Sequence, residues 1–181
     1  MGQVYDFERE KLIVGVIYND GEIYERAVAM LKAEFGEIDG ESEHFSFSRE
    51  FSDYYDEELG GEGQRVIFSF CDTVDPARQA EIKQKTNEME KELSRDGNRL
   101  INLDPGFINH GRLMLATTKN AGFRIPLSDG IYTELTLFYA RGNWQKLPWT
   151  YRDYQSTRVQ DFLTLVRGKY LEERKSAKKE P

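Results

Sequence analysis

The 181-residue chain has one cysteine and two histidines, and no apolar run approaches the ~20 residues a membrane-spanning helix needs. The lone Cys71 excludes an internal disulfide. Its place in the run RVIFSFC predicts a buried, inert thiol, in keeping with a reducing cytoplasm. His44 and His110 form no helix-spaced pair, so a histidine-built metal centre is not indicated. No G-x-x-x-x-G-K-[ST] string occurs, which removes the phosphate cradle of P-loop enzymes. The nucleophile elbow G-x-S-x-G is missing too, and Cys71 has no neighbouring base in sequence. The opening MGQVYDFEREK is too charged to read as a signal peptide. No internal repeat or low-complexity tract stands out.

Aromatic residues make up 13% of the chain, too many for a disordered one, and the length suits one globular domain over 1–181. Charge is unevenly spread. Residues 1–64 carry 17 acidic and 5 basic side chains, against 15 acidic and 20 basic in residues 65–181. Such halves complement each other within a fold or across a homo-oligomer, or turn the basic part towards an anionic ligand. The net charge of −7 disfavours nucleic acid as a partner, because that binding leans on phosphate neutralisation.

Hydrophobic periodicity sets the expected elements. KLIVGVIY (11–18) reads as a central strand. A helix over 22–35 follows, capped by Asn19 with Glu22 closing the box and stopped by Gly36. EHFSFS (43–48) alternates like a half-buried strand, and the acidic, Gly-rich 49–64 reads as a loop. RVIFSFC (65–71) is a second strong strand. Asp75-Pro76 opens a helix to about Arg95, and RLINL (99–103) is a short strand ended by an Asp104-Pro105-Gly106 turn. Strands over 112–118, 123–127 and 131–139 follow, with a hairpin signal at Arg141-Gly-Asn143. A closing helix spans 157–173, before a frayed basic tail over 173–181. The order predicts an α+β fold: a ferredoxin-like βαββαβ core, about 10–172 in all, extended by an antiparallel meander and a C-terminal helix. A doubly wound parallel sheet is the alternative.

Polar residues concentrate among the strands of Asn102 to Glu134. Burying them is unfavourable unless they are paired, which points to a pocket. Lys83, Asn87 and Glu90 share one helix face, either a solvated stripe or one wall of a cleft. Asn102 and Asp104 fall on one face of a strand end. Thr117, Thr118, Lys119 and Arg124 supply hydroxyls, a point charge and a planar fork, a set suited to phosphate or carboxylate; edge lysines that block aggregation are the rival reading. Asp53 and Tyr54, with the similar 150–154 segment, could rim the cleft. Asp53, Asp104 and Glu134 are the only guess for a magnesium site, and no cofactor is indicated.

The strings FSDYYDEELG, IKQKTNEME, LINLDPGFIN, LATTKNAGFRIPL, DGIYTELTL and LPWTYRDYQS together resemble an uncharacterised prokaryotic family, the domain of unknown function 4416. The resemblance covers about 10–172. Three family positions differ: the STK segment is Thr117-Thr118-Lys119, a histidine before the strand arginine is Phe123, and a proline is Arg152. Some members carry a GTP-binding label, but this chain has neither a Walker A motif nor an N-K-x-D guanine reader. The resemblance implies a compact cytoplasmic domain without an assigned activity.

Three functions follow. The first is a pocket for a small anionic or phosphorylated ligand, held by Lys83, Lys119 and Arg124, with Asp104 or Glu134 as acid/base and Asn102 and Tyr54 orienting. The second is a non-catalytic interaction or scaffold domain. The third is RNA association through sheet aromatics. The residues leave open whether the chain is an enzyme.

Overall fold

The computed structural model describes residues 2–177. Its frame is one nine-stranded sheet in which every described pairing is antiparallel. Strand β1 (Glu10–Tyr18) lies between β4 (Gln64–Val74) and β5 (Ile101–Ile108). Beyond β4 come β2 (Ile38–Glu41) and β3 (Phe45–Ser46). Beyond β5 come β6 (Arg112–Thr117), β8 (Tyr132–Ala140) and the short β7 (Ile125–Pro126) and β9 (Asn143–Lys146). A parallel, doubly wound sheet is therefore excluded for the described residues.

Both faces of the central strands are covered, which is why β1 reads as an unbroken apolar run. Leu12, Val14 and Val16 pack with α1 (Gly21–Phe35) and α4 (Gln79–Glu92); Ile13 packs on the other face with α5 (Thr157–Ala177). Phe68, Phe70 and Phe107 are buried in these layers, so the central strands present no open aromatic platform for RNA bases.

Several boundaries depart from expectation. Asp20, not Asn19, caps α1, accepting from the backbone N–H groups of Glu22 and Ile23. The expected strand 43–48 shrinks to β3, because Ser46 caps the short helix α2 (Phe47–Glu50), and β2 had no clear alternation to announce it. Another short helix, α3 (Asp56–Leu59), lies in the expected loop. The helix expected over 76–95 is a 3-10 turn, Pro76–Arg78, continued by α4. Cys71 is exposed rather than buried, sitting past the apolar run of β4 beside the register slip between Lys11 and Ile13. Helix α5 continues to Ala177, so 173–177 are not frayed; 178–181 lie outside the described residues.

The largest departure is at Asp104-Pro105-Gly106, which forms no turn. These residues lie inside β5, in register with Gly15, Val14 and Ile13 of β1. On the opposite side, β6 pairs with β5 only from Gly106 onward. Proline has no N–H to give a ladder, so Pro105 suits the place where pairing stops. Gly106 suits the place where it begins: a Cβ there would stand 2.5 Å from Leu115 Cδ2 and 2.9 Å from the Met114 carbonyl. The sheet splits between Asn102–Pro105 and the end of β6.

Candidate functional site

On its β6 side the split leaves the backbone of Leu103 without a strand partner, and α4 supplies one. Lys83 Nζ donates to the Leu103 carbonyl at 2.8 Å, and the Leu103 N–H donates to Glu90 Oε1 at 2.6 Å. Two helix side chains thus stand in for a ladder, meeting the rule that buried backbone groups are paired. This explains why the polar stripe of α4 points inward, with Lys83 and Glu90 buried.

Around the split lies a cavity of about 760 Å³, lined among others by Asn87, Asn102, Asp104, Thr117, Thr118, Lys119 and Glu134. Phe47, Phe51, Tyr54 and Tyr55 wall it from the α2–α3 region, and Tyr151, Arg152, Asp153 and Tyr154 from the segment before α5. A cavity of this size holds a small metabolite.

Its floor is an ion-pair network. Arg65 is 2% exposed and lies over β1, where Gly15 makes room: a Cβ at Gly15 would stand 2.6 Å from Arg65 Nη2. The guanidinium meets Asp153 at 3.2 Å and Asp104 at 3.9 Å, and donates to the Tyr154 hydroxyl at 3.1 Å. Arg99 donates to both oxygens of Glu58, to Glu90 and to Asn102 Oδ1. Asn102 Nδ2 passes the chain on to Asp104 Oδ2 at 2.6 Å. Arg124 donates to Glu134 Oε2 at 2.7 Å, to the Lys119 carbonyl and to the Tyr151 hydroxyl.

Burial governs the protonation behaviour. It raises the carboxyl pKa of Glu90 against the pull of Lys83 and Arg99, that of Asp153 against Arg65, and that of Glu134 against Arg124. It also pushes the Tyr151 hydroxyl up to about 12, with the Glu134 charge adding to it. Burial pulls the Arg65 value down, but Tyr154, Asp153 and Asp104 more than offset this and keep the group cationic. Asp104 differs from the other floor carboxylates in reach. Its side chain is 31% exposed, against 1% for Glu134 and 4% for Asp153.

Eight of the ten expected residues line one hollow: Tyr54, Lys83, Asn87, Asn102, Asp104, Thr118, Lys119 and Glu134. Arg124 lies behind Glu134 rather than on the wall, and Asp53 is exposed on its loop away from the lining. The magnesium guess fails on geometry: among the described residues no group of three acidic, histidine or cysteine side chains is placed to hold a metal ion. Arg65, Arg99 and Tyr55 were not singled out as site residues, and Tyr151, Asp153 and Tyr154 were expected only as part of a cleft rim; all six line the hollow. Arg65 and Arg99 each stand at the start of an apolar strand, where a charge ordinarily marks a boundary. Only Gly15 within the β1 run hints that something large crosses that strand.

Comparison with protein families gives the chain its place: it belongs to the family described as Domain of unknown function (DUF4416), whose model matches residues 8–170. No curated protein and no solved structure gives a match.

Proposed function

We propose that this DUF4416 protein binds a small anionic ligand, phosphorylated or carboxylate-bearing, in the cleft at the split of its sheet. One observation carries the reading. The buried charges of the floor are engaged with one another, whereas two cations on the lining, Lys119 and Arg152, have no carboxylate partner among the described residues. Lys119 Nζ meets only the Tyr54 hydroxyl, at 3.3 Å, and the Tyr54 ring, with 4.9 Å to its centroid. Thr118 supplies a hydroxyl beside them. An anion entering here gains a point charge and a planar fork without breaking an existing pair.

In this reading Lys83 and Arg124 are supports. Lys83 holds the Leu103 backbone, and Arg124 neutralises Glu134. Asp104 is the carboxylate placed to exchange a proton with a ligand, with Asn102 fixing its orientation. The first four large strands support a ferredoxin-like core, since β1 stands between β4 and β5 with β2 at the outer side of β4. A single domain fits the continuous sheet. Among the described residues no helix is long and apolar enough to cross a membrane.

The test is a thermal-shift and calorimetric screen of the full chain with inorganic phosphate, sugar phosphates and small carboxylates. We expect a saturable rise in melting temperature for at least one class. Lys119→Ala and Arg152→Ala each weaken it about tenfold, the size of a charge-assisted hydrogen bond. No shift at millimolar ligand, or shifts indifferent to both substitutions, contradicts the reading.

A second reading rests on Phe123, Ile125 and Leu127, which stay exposed on the arm before β8. They favour a non-catalytic interaction domain. Sedimentation at micromolar concentration tests its homo-oligomeric form, and a monomer counts against that form.

A further inference from the structure

We infer that the ligand of this cleft is zwitterionic: besides its anionic group it carries a cationic nitrogen, seated against Asp104. The inference rests on the binding role proposed above and extends it to the chemistry of the ligand's other end.

The floor pairs its charges closely, and one carboxylate among them, Asp104, also reaches the open cavity. Arg124 answers Glu134 at 2.7 Å, Arg65 answers Asp153 at 3.2 Å, and Arg99 answers Glu58 and Glu90. Lys83 is left for Asp104, yet its close hydrogen bond goes to the Leu103 carbonyl at 2.8 Å, and it stands 3.5 Å from Asp104 Oδ1. Arg65, the other nearby cation, stands 3.9 Å away. Asp104 therefore feels both cations without taking a hydrogen bond from either.

The single hydrogen bond to the Asp104 carboxylate comes from Asn102 and reaches Oδ2. Oδ1 has no hydrogen-bond donor among the described residues, and the side chain is open to the cavity. A carboxylate oxygen in that state selects a charged donor over a neutral one. The lining cations without carboxylate partners, Lys119 and Arg152, set the opposite sign for the ligand's other end. A molecule with an ammonium and a phosphate or carboxylate satisfies both. A simple dianion satisfies one and is repelled by Asp104.

Matched probes separate the two claims. Phosphoethanolamine and propyl phosphate have nearly the same shape, and only the first carries the nitrogen. Calorimetry on the full chain is expected to show phosphoethanolamine binding at least about tenfold tighter. Asp104→Asn should bring the two probes to within about twofold by weakening phosphoethanolamine. Lys119→Ala should weaken both alike. Equal affinities in the unsubstituted protein overturn the zwitterion and leave the anion site standing. Binding of neither probe at about 10 mM overturns this inference, while the small carboxylates of the screen above decide the anion site separately. Should Asp104→Asn fail to fold, the comparison of the two probes on the native chain decides alone.

Discussion

Replacing Arg65 with methionine tests the construction of the cleft at its most buried point. The side chains of Arg65 and Asp153 are 2% and 4% exposed and stand 3.2 Å apart. Removing one member of such a pair leaves the other charge buried and unanswered, a loss of about 3–5 kcal/mol. Asp104 adds little, because its contact is 3.9 Å and its carboxylate is partly solvated. Against a typical domain stability of 5–15 kcal/mol, the change is large and easily measured as a lower urea midpoint.

Its pH dependence has a fixed sign. Burial already raises the Asp153 carboxyl pKa, and Arg65 is the main group opposing the rise. Without Arg65 the folded-state value rises further above the unfolded one. The stability of such a group is present below the unfolded pKa and is lost as pH rises through the folded pKa. Hence the deficit of Arg65→Met should shrink as pH falls from neutral towards 5. Adding Asp153→Asn to Arg65→Met should restore part of the loss at neutral pH and flatten that dependence. A deficit under about 1 kcal/mol, or one that the second substitution does not relieve, refutes the reasoning.

Three further outcomes are expected. Gly15→Ala should destabilise by about 1–3 kcal/mol, since a Cβ would meet the pinned guanidinium of Arg65 at 2.6 Å; Gly15→Ala combined with Arg65→Met should cost less than the two separately, by denaturant titration. Glu134 should titrate above the usual carboxylate range, as followed by carbon NMR of its carboxyl. Arg124→Met should move that midpoint higher and produce a deficit that grows as pH rises through it; an unmoved midpoint counts against the Arg124 contact. Cys71 should react with a thiol reagent in the native state at a rate close to that of a free thiol, whereas protection until unfolding contradicts its exposure.

Much of the fold could be read along the chain because its elements are written in local patterns. The run 11–18, the amphipathic 22–35 and the stripe of Val159, Phe162, Leu163 and Val166 each name an element by spacing alone, and all three exist. The short elements were not legible. Residues 38–41 are too brief to show a period, and the alternation over 43–48 was cut short because Ser46 caps a helix.

The site divides along the same line. The concentration of polar residues between Asn102 and Glu134 was visible because charged groups among strands call for partners. The pairing itself was not. Lys83 and Arg124 read as ligand cations, yet they serve the Leu103 backbone and Glu134. Arg65 and Arg99 read as strand boundaries, yet they order the floor of the cavity. By itself the sequence determined an α+β chain with a polar, cation-bearing segment. Only the tertiary structure decided that Pro105 and Gly106 mark where a strand paired with β1 throughout begins to pair with β6, so that α4 reaches through the gap and a cavity opens. Periodicity reports how a segment is buried; which chain-distant charge neutralises which depends on strand register and helix packing, and these are fixed only when the whole sheet closes.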